Sequence, residues 1–380
     1  MTEMNIKTLA AEAAVLLKEM VAIPSPSFGE DEVCSHISGW LKDRGIVHER
    51  VGNNLIARSS AQAGKGKKPV IMLCAHMDTV SPGEDYSFCP HRPDYGKAAE
   101  VISSARGHTV AQEELIAGLG SNDDGASAVA MIAAFRHLQG MAELVLVLTC
   151  EEERSGKNGM TGLWGSRLCA RGEGIPGCQK IDLAIVGEPT CMKAATSERG
   201  LLVIDASAYG TSGHAARNEG KNALYIALDD IERLRTHKFT KLSPRMGEVR
   251  LNVTQIKAGT EHNVIPDRCD FVIDIRPTEQ YSNEEILNEL QDICTSVLKP
   301  RNLANRSSAT FDSSPLQKAA EALGLETFSS PTTSDWMRIT CDAIKMGPGD
   351  SARSHKKDEY VLVTEIEQGI KTYIEFINRL

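Results

Sequence analysis

The chain has 380 residues, 41% of them apolar and 24% charged, with a formal net charge of -9 and ten cysteines. That length accommodates two ordinary domains of roughly 100 to 200 residues each, and the composition is that of a folded, water-soluble protein. The acidic balance argues against a general nucleic-acid or anionic-membrane surface. No apolar run approaches the roughly 20 residues of a membrane span.

The N-terminal M-T-E-M-N-I-K-T lacks the basic-then-apolar order of a signal peptide, and the cysteines are scattered with no C-x-x-C pair. Both point to a cytoplasmic protein with reduced, mostly core cysteines. A first helix is expected over residues 7–22. In the I-P-S-P-S-F-G-E that follows, Ser27 and Glu30 have capping-box spacing ahead of a helical stripe at Val33, Ile37, Trp40 and Leu41. A βαβ rhythm comes next: P-V-I-M-L-C-A, E-L-V-L-V-L-T-C and I-D-L-A-I-V are continuous apolar strands, and D-G-A-S-A-V-A-M-I-A-A-F is a small-residue helix. Strands apolar on both faces indicate an α/β layered domain with a mostly parallel sheet.

After residue 195 the pattern changes to alternation. In R-C-D-F-V-I-D-I-R, Cys269, Phe271, Ile273 and Ile275 share one face, with Asp270, Asp274 and Arg276 on the other. That is a one-sided sheet. With helices through 221–237 and 283–297, residues 196–307 form a separate α+β domain. Helical stripes resume from 308, so residues 1–195 and 308–380 make one discontinuous domain and the smaller one is an insertion.

Chemistry gathers where apolar strands stop. His76 and Asp78 leave the strand end of L-C-A-H-M-D-T-V on one face, because residues two apart in extended chain point the same way. Alone, this pair fits a solvated loop equally well. Asp123 in G-L-G-S-N-D-D-G, the acids of C-E-E-E-R and Glu188 in V-G-E-P-T also lie at strand ends, and so many acids at one sheet edge repel unless a cation neutralises them. Imidazole and carboxylate without thiolate suit zinc, cobalt or manganese. His355, among glycine, serine and aspartate near the C-terminus, is a candidate further ligand or a surface-loop histidine.

Taken in order, A-H-M-D-T-V, G-L-G-S-N-D-D-G, E-E-E, G-E-P-T, G-T-S-G-H-A-A, H-N-V-I-P-D and S-H-K-K-D-E resemble the motifs of the acetylornithine deacetylase and succinyl-diaminopimelate desuccinylase family, across essentially the whole chain. That family includes aminoacylases and glutamate carboxypeptidases. The resemblance implies a two-zinc catalytic domain carrying an inserted ferredoxin-like lid and dimerisation domain. It implies that His76 and Glu188 hold one metal, Glu153 and His355 the other, and Asp123 bridges. Asp78 then orients the histidine end and Glu152 is the general base, while Glu151 receives no role. His214 is the donor a partner subunit supplies to the oxyanion, which implies a homodimer. Asn263, Arg276 and Arg199 resemble residues that hold a substrate carboxylate, a planar group suited to the guanidinium fork. On the polar face of its strand, Arg276 also has Asp270 and Asp274 as candidate salt-bridge partners.

Two departures stand out. Asp124 follows the bridging aspartate where the family commonly has lysine and glycine. The span from Asp78 to Asp123 is also long, and its His91 and His108 match no motif and read as loop residues. The expected activity is amide hydrolysis of an N-acyl amino acid, N-acetylornithine first, with N-acetylcitrulline and N-succinylornithine as close variants. A dipeptidase or aminopeptidase of the same family and a non-catalytic metal- or amino-acid-binding protein are the alternatives.

Overall fold

The computed structural model describes residues 3–61, 68–217 and 219–380. The chain divides into two compact units. One comprises residues 1–196, 310–328 and 334–380, the other 197–309 and 329–333.

The larger unit is built on a mixed sheet with a parallel centre. Glu143–Thr149, Val70–His76, Leu183–Val186 and Asp342–Lys345 run parallel in that spatial order, and the hairpin of His48–Val51 and Asn54–Ser59 lies antiparallel beside Glu143–Thr149. The helices Glu3–Val21, Gly125–Leu138 and Val363–Ile377 cover one face with a single aliphatic core. A second cluster around Met72, Val147, Trp336 and Ala343 covers the other. Burial on both faces explains why these strands read as unbroken apolar runs. Asp342–Lys345 was not legible as a strand, because D-A-I-K has no apolar run and its Lys345 is only 1% exposed.

Register decides where chemistry falls. His76 pairs with Thr149, and Cys74 with Val186, so His76, the acids after Thr149 and Glu188 emerge level at the carboxyl ends of adjacent strands. Open parallel sheets bind ligands at that edge.

The smaller unit is an antiparallel four-stranded sheet ordered Arg250–Ala258, Arg268–Arg276, Leu202–Tyr209, Val297–Pro300, with the helices Ala223–Thr236 and Asn283–Ile293 packed on it. The chain order β-α-β-β-α-β with this arrangement is ferredoxin-like. Alternation along Arg268–Arg276 is as expected, Cys269, Phe271, Ile273 and Ile275 being buried. Two local expectations fail. The helix expected over 283–297 stops at Ile293, because Val297–Pro300 is used as a sheet strand against Leu202–Tyr209. The capping box at Ser27 and Glu30 does not form: Glu30 itself is the N-cap of Asp31–Asp43, without a side-chain cap bond. The Ser27 hydroxyl donates instead to Asp78 Oδ2 at 2.7 Å.

Among the described residues no helix is long and apolar enough to cross a membrane. All ten cysteines are free.

Candidate metal centre

Two trios meet at one aspartate. His76, Asp123 and Glu188 bring ligand atoms within 4.8 Å of one another, as do Asp123, Glu153 and His355. Asp123 shows one oxygen to each histidine: Oδ1 lies 3.3 Å from His76 Nε2 and Oδ2 lies 3.6 Å from His355 Nε2. His355 Nε2 is also 2.9 Å from Glu153 Oε1.

The His76 ring is fixed from behind. Its Nδ1 donates to the Asp78 main-chain carbonyl at 2.9 Å, which leaves Nε2 as the nitrogen that faces Asp123. An imidazole lone pair facing a carboxylate is repulsive unless a proton or cation lies between them. Burial pushes the His76 pKa down, but the hydrogen bonds to Asp123 and Asp78 outweigh it and hold the ring well above the usual histidine range. Glu188 is pushed well above the ordinary carboxyl range by burial and then by the Asp123 charge. Glu152 moves the same way, chiefly through burial, with Asp335, Glu153 and Asp78 adding to the effect. Five acids surround two histidines, and fully ionised they would carry a strong excess of negative charge. The donor set of two imidazoles and three carboxylates fits a pair of divalent cations in type and number.

The carboxylate of Asp78 has a further task beyond steadying His76, whose Nδ1 lies 3.5 Å from Oδ1. It accepts the main-chain amides of Glu152 at 3.0 Å and Glu153 at 3.1 Å, plus the Ser27 hydroxyl. It therefore sets the turn that presents the candidate base and a candidate ligand. The opposite side of that turn is held by Glu30, whose Oε1 accepts the Glu151 amide at 3.1 Å and the Phe28 amide at 2.7 Å. Glu151, left without a role in the sequence, is buried and accepts two bonds from Asn158, so it shapes the same turn.

Other supports were not visible in the sequence. Glu359 is buried and accepts the amides of Asn122 at 2.8 Å and Asp123 at 2.9 Å, which orients the bridging loop; burial lifts its pKa to about 8. The Asp335 carboxylate accepts the Thr149 hydroxyl at 2.7 Å beneath the strand end, with its pKa raised by burial to about 6. The D-E-Y after His355 is the one sequence signal for any of these, standing inside the terminal motif. Asp124 is buried behind Asp123, near Ser127, and burial raises its pKa to about 8. Its charge, unexplained from sequence, is therefore largely absent from the cation-free site at neutral pH.

His91 and His108 lie outside both trios. His91 is bonded to the Val21 carbonyl at 3.2 Å, and His108 accepts from Arg106 at 3.2 Å.

The remaining candidates lie in the smaller unit. His214 pairs with Val264 on a two-stranded turn, and the Asn263 carbonyl accepts the Ala215 amide, so His214 and Asn263 are brought together on an exposed tip. The His214 Nδ1 accepts the Ala216 amide at 3.2 Å, which leaves a neutral ring's proton on Nε2. Arg276 places its fork on Asp274, with Nε and Nη2 at 2.8 and 3.1 Å, so the salt-bridge reading is realised there. Arg199 is 4% exposed and donates to the carbonyls of Glu248, Arg276 and Met246. Three of its five N–H donors go to main chain, so from this buried position the side chain braces the backbone around it.

Residues 196–302 match the M20 peptidase dimerisation domain and residues 54–186 match peptidase family M28. A Myxococcus xanthus acetylornithine deacetylase is 29% identical over 63% of this chain and 65% of its own. At this modest identity the chain is similar to proteins named acetylornithine deacetylase and succinyl-diaminopimelate desuccinylase. A Pyrobaculum aerophilum protein named as a LysW-lysine/LysW-ornithine hydrolase is 26% identical over 94% of both chains. In fold, the chain superposes on a Bacillus subtilis dinuclear metal-binding peptidase of the M20 family with a TM-score of 0.68 at 13% identity, over 98% of each chain. The arrangement of an α/β catalytic domain with an inserted dimerisation domain is thus that of the M20 peptidases.

Proposed function

We propose that this protein is a metal-dependent amidohydrolase that removes the acyl group from an N-acyl amino acid, with N-acetylornithine as the first substrate to test and arginine synthesis as its setting. The observation that carries this reading is Asp123 shared between two ligand trios, with Glu152 on the turn beside them. His76 and Glu188 would hold one cation, Glu153 and His355 the other, with Asp123 between. When bound, such a pair supplies Lewis acidity to a carbonyl oxygen and acidifies water.

The chain's own residues account for the remaining chemistry. Glu152 takes a proton from the attacking water and delivers it to the amide nitrogen, which then leaves as a neutral amine instead of an amide anion. His214 Nε2, from a partner subunit of a homodimer, donates to the oxyanion. Asn263 and Arg276 receive the substrate carboxylate, Arg276 exchanging Asp274 for it. Arg199, bonded to three main-chain carbonyls, serves the fold of the smaller unit. Zinc is the proposed metal, with cobalt or manganese as substitutes, and ten free cysteines suit the reducing cytoplasm.

The test is amine release from N-acetyl, N-succinyl and N-formyl amino acids and from dipeptides, with zinc- or cobalt-loaded protein and a chelated control. Chelator-sensitive turnover of acylated ornithine or citrulline supports the proposal. Turnover of dipeptides alone moves the protein to peptidase chemistry. Glu152→Gln should keep two cations and lose at least about 10²-fold in kcat, the range of one positioned acid or base. A protein that binds metal and ligand but turns nothing over would be a binding protein.

A further inference from the structure

The long span between Asp78 and Asp123 has a structure of its own. Its helix, Tyr95–Arg106, is capped by Asp94 and ends at Gly107 in the left-handed region, and Phe88, Ala98, Ile102, Val110, Leu115 and Ala117 form a small separate core. Its far end, Leu115–Ala117, pairs antiparallel with Tyr360–Leu362, just beyond the His355 loop. Its near end touches that loop directly. The Ser87 amide and hydroxyl donate to the two Asp358 oxygens, each at 2.7 Å, and the Tyr86 hydroxyl donates to the Lys356 carbonyl at 3.2 Å. Lys357 and Asp85 lie 3.6 Å apart.

The His355 loop needs such support. His355 is exposed, so packing does not fix it, and the five residues 355–359 belong to no helix or strand. Both His355 at φ 56° and Asp358 at φ 58° have left-handed backbone, which is unfavourable for residues with a Cβ. A ligand presented from strained, exposed chain depends on neighbours that make its conformation the favoured one. The contacts of the span supply that: Ser87 satisfies both oxygens of the side chain at one left-handed position, and Tyr86 binds the residue after His355.

We infer that the segment 79–117 is an outer brace for the His355 half of the metal centre, and that Ser87, acting through Asp358, is its positioning residue. The brace contacts no member of the other trio through these bonds, so its effect is one-sided: it preorganises one cation site and leaves the His76 and Glu188 site to the sheet. This rests on the metal reading given above.

Metal-free protein titrated with Co(II), followed by visible absorption and calorimetry, tests it. The variant His355→Ala first identifies which of the two binding constants belongs to the His355 half. Ser87→Ala should weaken that constant by about 10- to 100-fold, the usual effect of losing an outer-shell partner, and leave the other unchanged. Ser87→Thr should restore most of the loss. Asp358→Asn, which tolerates the left-handed backbone, should lower the same constant, and adding Ser87→Ala to it should cost less than it does alone. Unchanged constants in Ser87→Ala overturn the brace while leaving the metal reading intact. Equal weakening of both constants with a lowered melting temperature also overturns it, since that is general loosening. Wild-type protein that takes up no cation overturns the metal reading and the brace together.

Discussion

Where an arginine spends its donors separates a structural role from a substrate-facing one. Arg199 gives hydrogen bonds to three main-chain carbonyls from a buried position, while Arg276 shares a half-exposed pair with Asp274. Truncating the first strands buried acceptors at about 1 to 3 kcal/mol each, partly recovered by relaxation, whereas an exposed ion pair is worth about 0 to 1 kcal/mol. Arg199→Ala should therefore lose on the order of 3 kcal/mol of stability with KM unchanged in the folded protein, and Arg276→Ala should raise KM while barely moving the melting temperature. Thermal melts run beside steady-state kinetics decide the matter, and a raised KM at constant melting temperature in Arg199→Ala would return that residue to the substrate site. The two arginines look alike in sequence. Acids and a histidine at strand ends raised the idea of a cation site in the sequence, while the ligand set itself, His355 included, came from the resemblance of the ordered motifs. Ser27, Glu30 and Glu359 were not legible there, because each acts on a residue 51, 121 or 236 positions away, with no local pattern to announce it.

The elements that matter most are the strand ends and one turn. Buried parallel strands, the small-residue helix and the alternating strand of the smaller unit could be read from periodicity, since 3.6 and 2.0 are geometric consequences of helix and strand. Asp342–Lys345 and the shortened helix Asn283–Ile293 could not, because pairing partners elsewhere in the chain decide both. The turn after Thr149 combines the two cases. Its acids are visible, but Glu151 at φ 61° and Ser155 at φ 48° place them in a shape that local preference disfavours. Two carboxylates, Asp78 and Glu30, hold that shape by accepting its amides. Glu30→Ala should let the turn relax and lower kcat by about 10²-fold, the cost of roughly 1 Å of misplacement at a reacting group. Glu30→Gln keeps an acceptor for the Phe28 and Glu151 amides and should recover most of that rate. Equal kcat in the two variants would show that something other than Glu30 holds the turn.

At the scale of the whole catalytic unit, the acids gathered at one sheet edge make its stability a function of pH and metal together. Burial raises Asp335 to about 6 and Asp124 and Glu359 to about 8, and holds Glu152 and Glu188 well above the ordinary range in the cation-free protein. Unfolded, these groups titrate near 4. Between about pH 4 and 8 the folded state therefore binds more protons than the unfolded state, so stability falls as pH rises through that window. Asp78 and Asp123 are shifted the other way, held below the ordinary range by His76 against the push of burial, and lose their contribution only as pH falls below about 4. Metal-free protein should thus melt at a lower temperature at pH 8 than at pH 5. Bound cations replace the retained protons, so loading should flatten that slope and release protons. Calorimetric titrations in buffers of different ionisation enthalpy count those protons directly. A melting temperature in the metal-free protein that rises between pH 5 and 8, or uptake of metal with no proton released, would mean that the acids are already ionised and that some charge other than retained protons balances them.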